Sequence, residues 1–433
     1  MSYLDKFNIN NNKIICLCGL PASGKSTIAD KLKSKGYEII SFDKYKLELI
    51  KSINKTELSG ELSNIDKDVW DMIHNKLKYN IENDIPSVLD ANLINEEQRS
   101  FIINIVGKNR ADIICIDDSL EEILNRNLKR TYTMMDNIDN EDAFNHYIDE
   151  DAIKLMNEAF TLPSKREGFN TVEIIYNDLE VNYNSSIVNI LRAFKDSSDG
   201  HSAIYDLHNN GRLKYILPEL DACWGIDQQN DNHDLSLSEH MIEAASYLKN
   251  ESMELYLSAL LHDIGKLKVK KRFGITIMDG EYIKAGSKVS IETVPGVNGF
   301  VRLNLNDYEN KQYINELLTI KHVAMEKNCS YNNHNLIGAR MARRLLYKIG
   351  LHDILDEVYD NIVNQTIISY NIMSFDECSR LISKYGKDKV LNLLKLRHAN
   401  MLSSNITEDK LNIYFKNKQL ILDLIGDLSV EMD

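Results

Sequence analysis

The sequence predicts an α/β domain, built on a parallel sheet with helices on both faces, followed by an all-α domain with a small β-rich insertion. From Lys13 to about Phe194, short β-branched runs alternate with amphipathic helical patterns. Beyond the small, polar segment Lys195–Ser202 the periodicity is almost wholly helical. We therefore expect two domains, at residues 1–195 and 196–433.

Five short apolar runs are expected to form the strands of the first domain. They are KIICLC, YEIIS, PSVLD, ADIICID and TVEIIY, which begin at Lys13, Tyr37, Pro86, Ala111 and Thr171. Helical patterns between them cover Val69–Ile81, Glu96–Val106 and Ser119–Thr131. Strands that alternate with helices in this way form parallel sheets.

The second domain is expected to start two of its helices with capping boxes. Ser236 pairs with Glu239 at the start of SLSEHMIEAASYL, and Ser374 pairs with Glu377 at the start of SFDECSRLI. Glycines and β-branched residues interrupt the helical pattern at about residues 273–305, which indicates a small strand-rich insertion.

Composition and charge limit the classes of protein to consider. Of the 433 residues, 43% are apolar and 27% are charged, and the six cysteines lack the spacing of a zinc or redox motif. The polar amino terminus and the lack of a membrane-length apolar run lead us to expect a cytoplasmic protein with no membrane partner. The net charge of −14 argues against a protein that coats nucleic acid, although a local basic patch could grip one end of a strand.

The segment Gly19–Thr27, GLPASGKST, fits the phosphate-binding pattern G-x-x-x-x-G-K-[ST]. A predicted strand precedes it and a predicted helix follows it, so backbone N–H groups would converge on the phosphates of a nucleotide such as ATP. Lys25 would bridge the outer phosphates, and the Ser26 hydroxyl would hold Mg²⁺. The residues expected to contact phosphate are Gly19, Pro21, Ala22, Ser23, Gly24, Lys25, Ser26 and Thr27.

Polar residues after the next strands are candidates for acceptor binding. Asp43 follows the second predicted strand, and Asp90 and Asn92 follow the third, at the edge where open α/β sheets bind ligands. A carboxylate there can accept the proton of an attacking hydroxyl, although Asp is also a common helix N-cap. Arg126 and Arg130 share one helix face and could neutralise a transferring phosphoryl group, or form a solvated surface.

In this order, GLPASGKST, FDKYK, LDANLINEEQR and RNLKR resemble the phage-type polynucleotide 5′-kinase family of P-loop phosphotransferases, over roughly residues 13–180. The resemblance implies ATP- and Mg²⁺-dependent transfer of the γ-phosphoryl group to a 5′-hydroxyl of RNA or DNA. It implies that Asp43 is the general base and that Lys25 and Arg126 are catalytic contacts to the donor phosphates. The remaining implied contacts are Arg130 to the donor, and Asp90 and Asn92 to the acceptor.

A His–Asp doublet, His262 and Asp263, ends an apolar helical pattern in the second domain, and His240 lies one turn into another helix. Packed side by side, the two helices would bring two imidazoles and a carboxylate around one divalent ion. This mixed set suits Mn, Ni, Co or Zn better than Mg, and such an ion lowers the pKa of bound water from about 15.7 to about 7. Lys266 would pair with a substrate phosphate. A second doublet, His352–Asp353, is interpreted as an ordinary helix cap.

The segments LKYILPELDACWGIDQQNDNHDLSLSEHM, ALLHDIGK and YNNHNLIGARMARRLL resemble the HD phosphohydrolase superfamily over roughly residues 205–405. They are most similar to the HD domain of CCA-adding tRNA nucleotidyltransferases. By this resemblance the metal ligands are His240, His262 and Asp263, with His233 and His334 in contact with metal or phosphate. The family's last ligand is an aspartate on a late helix, where this chain has Asn400, a weaker ligand.

Together the two resemblances lead to the hypothesis of an enzyme that heals broken nucleic-acid ends. It would phosphorylate 5′-hydroxyl ends and hydrolyse 2′,3′-cyclic phosphate or 2′- or 3′-phosphate ends. Its partners would be RNA ends, with tRNA as one candidate. Two alternatives stay open: a small-molecule kinase fused to a nucleotide phosphohydrolase, and a nucleotide-switched tRNA-binding module with an inactive HD site.

Overall fold

The computed structural model describes residues 13–52, 65–135, 148–181, 185–198, 200–226, 228, 235–269, 271–275, 290–293, 301–304 and 323–430. The chain divides into two compact units, Met1–Glu180 and Val181–Asp433. These are called the first unit and the second unit below.

The first unit contains a five-stranded sheet with the strand order β2–β3–β1–β4–β5. Its strands are β1 (Ile14–Gly19), β2 (Glu38–Ser41), β3 (Ser87–Asp90), β4 (Ala111–Ile116) and β5 (Val172–Ile175). Every pairing in this sheet is parallel. All residues of β1 and β4 are buried, which requires cover on both faces of the sheet. The predicted α/β class of this unit is confirmed.

The helices of the first unit follow the strands along the chain. They are α1 (Lys25–Lys33), α2 (Phe42–Ser52), α3 (Ile65–Glu82), α4 (Glu96–Val106), α5 (Leu120–Met135) and α6 (Glu150–Ala159). Ala29 and Leu32 of α1 pack with Ile15 and Leu17 of β1 in one apolar cluster. Because α1 is packed on the strand that precedes it, the loop between them is anchored at both ends.

The second unit is largely helical, as predicted. Its helices are α7 (Ser185–Asp196), α8 (Gly200–Asn209), α9 (Leu213–Ile216), α10 (Pro218–Asp221), α11 (Leu237–Ser246), α12 (Met253–Leu261), α13 (Lys266–Val269), α14 (His334–Lys348), α15 (Leu355–Val363), α16 (Phe375–Tyr385), α17 (Lys387–Leu402) and α18 (Glu408–Val430). Both predicted capping boxes are present, at the starts of α11 and α16. Within the described part of the chain, each helix is too short or too polar to cross a bilayer.

The division between the units, after residue 180, differs from the predicted boundary after residue 195. Helix α7 packs on α8 and α12 of the second unit and buries Val188, Leu191 and Phe194. A Cβ at Gly200 would lie 1.9 Å from the Phe194 carbonyl oxygen, so glycine is needed where α7 and α8 meet. Lys195 and Asp196 of the small polar segment thus end α7, and its last three residues begin α8, so the segment lies where two packed helices meet.

Two antiparallel strand pairs interrupt the second unit. They are β6 (Lys271–Ile275) with β9 (Val323–Ser330), and β7 (Ser290–Thr293) with β8 (Val301–Asn304). The described strands thus extend beyond the predicted insertion of about residues 273–305. Strand β9 carries Glu, Lys and Asn, which are poor strand formers, and its pairing with the distant β6 is invisible to local propensity.

Candidate functional site

The loop Gly19–Thr27 joins β1 to α1 as the motif predicts. A Cβ at Gly19 would lie 2.7 Å from the Ile116 carbonyl oxygen and 2.9 Å from Ser23 Oγ, so a side chain does not fit there. Lys25 folds back on the loop and donates to the carbonyl oxygens of Gly19, at 2.9 Å, and Leu20, at 2.8 Å. Its ammonium group thus lies against the loop backbone, on which a bound phosphate chain would lie.

Asp90 lies beside the hydroxyl that is expected to hold magnesium. Ser26 Oγ donates to Asp90 Oδ2 at 2.9 Å. Burial raises the pKa of Asp90, and the nearby Lys25 ammonium opposes that rise. A hydroxyl beside a carboxylate is the ligand pair that P-loop proteins use for nucleotide-bound Mg²⁺. The contact favours a role on the magnesium side for Asp90 over the predicted acceptor contact.

Asp43 and Asn92 take different places around this pair. Asp43 lies in the first turn of α2 and is exposed. Burial lowers the pKa of Lys25, and the carboxylates of Asp90 and Asp43 oppose that shift. Asp43 is therefore close enough to interact with the Lys25 ammonium, as Asp90 does. The Asn92 carbonyl oxygen accepts from the Gly19 N–H at 2.9 Å. The backbone of Asn92 therefore anchors the start of the phosphate loop.

A cavity of about 360 Å³ opens beside the phosphate loop, and Arg126, Arg130 and Asn177 are among its lining residues. Arg126 Nη1 donates to Asp118 Oδ2 at 2.5 Å. Asp118 is 1% exposed and also accepts from the backbone N–H of Asn177 at 2.6 Å. Asp118 and Asn177 were not predicted from the sequence, although both follow strands of the sheet, as Asp43 does.

Three side chains of the second unit converge as the His–Asp motif predicts. The Nε2 atoms of His240 and His262 are 3.1 Å apart, and Asp263 Oδ2 lies 3.5 Å and 3.3 Å from them. All three residues are at most 2% exposed. Among the described residues, they form a group whose possible ligand atoms all lie within 4.8 Å of one another. We call these three residues the His–Asp cluster.

Backbone carbonyls orient both histidines of the cluster. His240 Nδ1 lies 2.9 Å from the Ser403 carbonyl oxygen, and His262 Nδ1 lies 2.7 Å from that of Ala259. A proton on each Nδ1 satisfies these carbonyls and leaves a lone pair on each Nε2. Burial lowers the pKa of His240, which keeps the ring neutral. Two lone pairs that face one carboxylate at these distances fit a bound divalent cation.

His334 and Lys266 complete the surroundings of Asp263. His334 Nδ1 lies 2.6 Å from the Tyr331 carbonyl oxygen, and its Nε2 lies 3.2 Å from Asp263 Oδ1. Lys266 Nζ lies 2.6 Å from Asp263 Oδ2 and donates to Gln228 Oε1 at 2.7 Å. Burial alone would raise the pKa of Asp263, but His262 and Lys266 lower it well below its ordinary value. Lys266 thus pairs with the candidate ligand Asp263, because the two residues are one turn apart. Its contact with a substrate phosphate stays a prediction.

The remaining predicted residues fall in three different places. Asn400 lies on α17, one turn before Ser403, and its carbonyl oxygen accepts from Ser403 Oγ at 3.0 Å. His233 lies outside the described residues. The second doublet forms a short 3-10 helix, His352–Ile354, with no buried residue, and Asp353 lies in its first turn rather than at the predicted cap position.

The fold and the sites define a P-loop α/β unit and a helical unit with a candidate metal centre. Residues 14–163 match a family model described as an AAA domain. A solved gluconokinase from Sinorhizobium meliloti 1021 is similar to 38% of this chain and is covered over 83% of its own length, with 17% identity and a TM-score of 0.28.

Curated proteins with local similarity are named Multifunctional CCA protein. The one from Acinetobacter baumannii is 32% identical over 84 residues, which is 17% of this chain and 20% of that protein. The one from Xanthomonas campestris pv. campestris is 34% identical over 80 residues, 18% and 20% of the two chains. The one from Burkholderia cenocepacia is 36% identical over 63 residues, 14% and 15%. This chain thus spans about a fifth or less of the length of these relatives.

Proposed function

We propose that this chain repairs broken RNA ends by two reactions: ATP-dependent phosphorylation of 5′-hydroxyl ends, and hydrolysis of 2′,3′-cyclic phosphate or 2′- or 3′-phosphate ends. One observation carries the proposal. The same chain holds a phosphate loop with a Ser26–Asp90 pair, and a buried His–Asp cluster with two ring lone pairs facing a carboxylate. RNA cleavage that leaves a 5′-hydroxyl and a cyclic phosphate gives each site one end to repair.

The first unit would act on the 5′ end. Lys25 moves from the loop carbonyls onto the outer phosphates of ATP, and Arg126, held by Asp118, binds the same phosphates from the cavity side. Ser26 and Asp90 would hold Mg²⁺, which when bound would further neutralise the phosphate charge. The exposed carboxylate of Asp43 would take the proton of the 5′-hydroxyl as the hydroxyl oxygen bonds to the γ-phosphorus. The bond from that phosphorus to the β–γ bridging oxygen breaks, and ADP leaves.

The second unit would act on the other end. His240, His262 and Asp263 would hold a Mn, Ni, Co or Zn ion, which when bound would activate water for attack on the phosphate ester. His240 and His262 present their Nε2 lone pairs because the Ser403 and Ala259 carbonyls fix their tautomers. Lys266, once released from Asp263, can bind a phosphate oxygen of the RNA.

Two features favour a second candidate, an RNA-binding module that is switched by ATP and does not hydrolyse the RNA end. Lys266 occupies an oxygen of Asp263, and an amide stands at residue 400 where the resembled family has a carboxylate. Both features weaken the attraction for a divalent ion. This candidate predicts RNA binding with both RNA ends left unchanged.

The experiment uses a short RNA with a 5′-hydroxyl and a 2′,3′-cyclic phosphate. The chain is incubated with it, ATP, Mg²⁺ and either Mn²⁺ or Ni²⁺, and both ends are followed by mass spectrometry. The expected products carry a 5′-phosphate and an opened or removed 3′-terminal phosphate. Phosphorylation of free nucleosides or of small polyols with no reaction on RNA would reject the proposal in favour of a small-molecule kinase.

A further inference from the structure

Arg397 of α17 is a buried cation without a carboxylate partner in the described part of the chain. It is 5% exposed, and its guanidinium carbon lies 3.8 Å from the centre of the Tyr370 ring. Its Nε has no hydrogen-bond partner there. Stacking on a ring compensates only part of the cost of burying a charge. The local structure therefore favours an anion beside this guanidinium.

Further cations and rings surround Arg397. Lys410, Tyr414 and Lys418 are spaced four residues apart on α18 and so share one face. Lys410 Nζ lies 5.2 Å from the centre of the same Tyr370 ring. The His398 ring stacks on Tyr414, with centres 5.2 Å apart and planes at 7°. Positive charges thus alternate with aromatic rings here, in a chain whose net charge is −14.

The same helix connects this surface to the His–Asp cluster. Arg397 precedes Ser403 by six residues, which is about 9 Å along a helix axis, and the Ser403 carbonyl oxygen faces His240 Nδ1. A strand with its terminal phosphate at the cluster would carry its next phosphates past this part of α17. A mononucleotide would not reach both places.

We propose that Arg397, Tyr370, Lys410, His398 and Lys418 form a binding site for the phosphodiester backbone of single-stranded RNA. This assignment rests on the proposed function, because it names the strand whose end would be repaired. Phosphate oxygens would accept from the guanidinium and the lysines, and bases would stack on the exposed parts of the Tyr370 and His398 rings. The buried Tyr414 ring supports that of His398.

The test measures binding of the full chain, without divalent metal or ATP, to a fluorescently labelled single-stranded RNA of about 12 nucleotides at several salt concentrations. Arg397→Met should weaken binding about 10-fold and reduce the slope of log K against log salt by about 0.7. Lys410→Gln should weaken it about 3-fold. Arg380→Met makes the same chemical change at an exposed arginine of α16 and should leave the affinity within about 2-fold.

A purely structural Arg397 gives the opposite pattern. Arg397→Met would then lower the unfolding temperature and leave RNA affinity at the wild-type value, and that result would overturn the proposal. So would tighter binding of an acidic peptide than of RNA, or, if Arg397→Met does not fold, unchanged affinity in Lys410→Gln. The binding assay needs no turnover, so weaker RNA binding by the variants would support this site even if wild-type protein repairs neither RNA end. Conversely, end repair by wild-type protein together with unchanged RNA binding by the variants would reject this site and leave the proposed function standing.

Discussion

The two candidate sites differ in the groups that compose them. In the first unit the loop offers backbone N–H groups, and the charged side chains flank them: Lys25 on its own loop carbonyls and Arg126 held by Asp118. In the second unit the site consists of side chains that converge on one buried carboxylate, that of Asp263. In the first site, backbone groups and cations would contact a bound phosphate directly, whereas the proposed chemistry of the second site would require a bound transition-metal ion. Substitutions should therefore separate the two reactions.

The largest expected effect comes from Lys25→Met. It removes the one cation of the phosphate loop, so γ-phosphoryl transfer to a 5′-hydroxyl should fall about 1,000-fold or more, while hydrolysis at the 3′ end is unchanged. Transfer is measured with labelled ATP. Lys33→Met, at an exposed lysine in the last turn of α1, is the matched control and should keep wild-type transfer. Substantial transfer by Lys25→Met would break the assignment of the first site.

The next effect, in the other unit, is that of Asp263→Asn. The amide removes the charge that faces His240, His262, His334 and Lys266, so retained transition metal and 3′-end hydrolysis should both fall about 100-fold. Metal content is measured by mass spectrometry after dialysis against Mn²⁺ or Ni²⁺. Asp353→Asn, in the exposed second doublet, is the control and should retain wild-type metal. Equal metal in both variants would place the ion elsewhere.

The smallest expected effect is a gain of metal affinity in the second unit, in contrast to the losses above. Asn400→Asp adds a carboxylate one turn before Ser403, close to the position where the resembled family has its last ligand, so metal affinity should rise about 10-fold. Asn405→Asp adds the same charge at an exposed position just beyond α17 and controls for a general electrostatic gain. The two affinities are compared by titration calorimetry with Mn²⁺. A rise of equal size in both variants would show that residue 400 is not near the ion.

The features that the sequence predicted well are local in the chain. The phosphate loop, the five strands and both capping boxes depend on residues within a few positions of one another, where periodicity and caps act. The His–Asp cluster was also predicted, because the doublet and His240 each end or begin a recognisable helix.

The features that could not be predicted from the sequence depend on contacts between residues that are far apart in the chain. The carbonyl that orients His240 belongs to Ser403, 163 residues away. The partners of Ser26 and of Asn177 are equally non-local: Asp90 is 64 residues from the first, and Asp118 is 59 from the second. Such pairs are set by how strands and helices pack, and no periodicity in a single sequence records them.

The most direct test of two independent phosphate chemistries is a complementation assay on RNA labelled at both ends. A mixture of the Lys25→Met and Asp263→Asn proteins is incubated with ATP, Mg²⁺ and Mn²⁺, beside each variant alone and the double variant. The expected result is that the mixture repairs both ends, each single variant repairs one end, and the double variant repairs neither. Loss of both reactions in either folded single variant, or neither reaction in wild-type protein, would contradict the account.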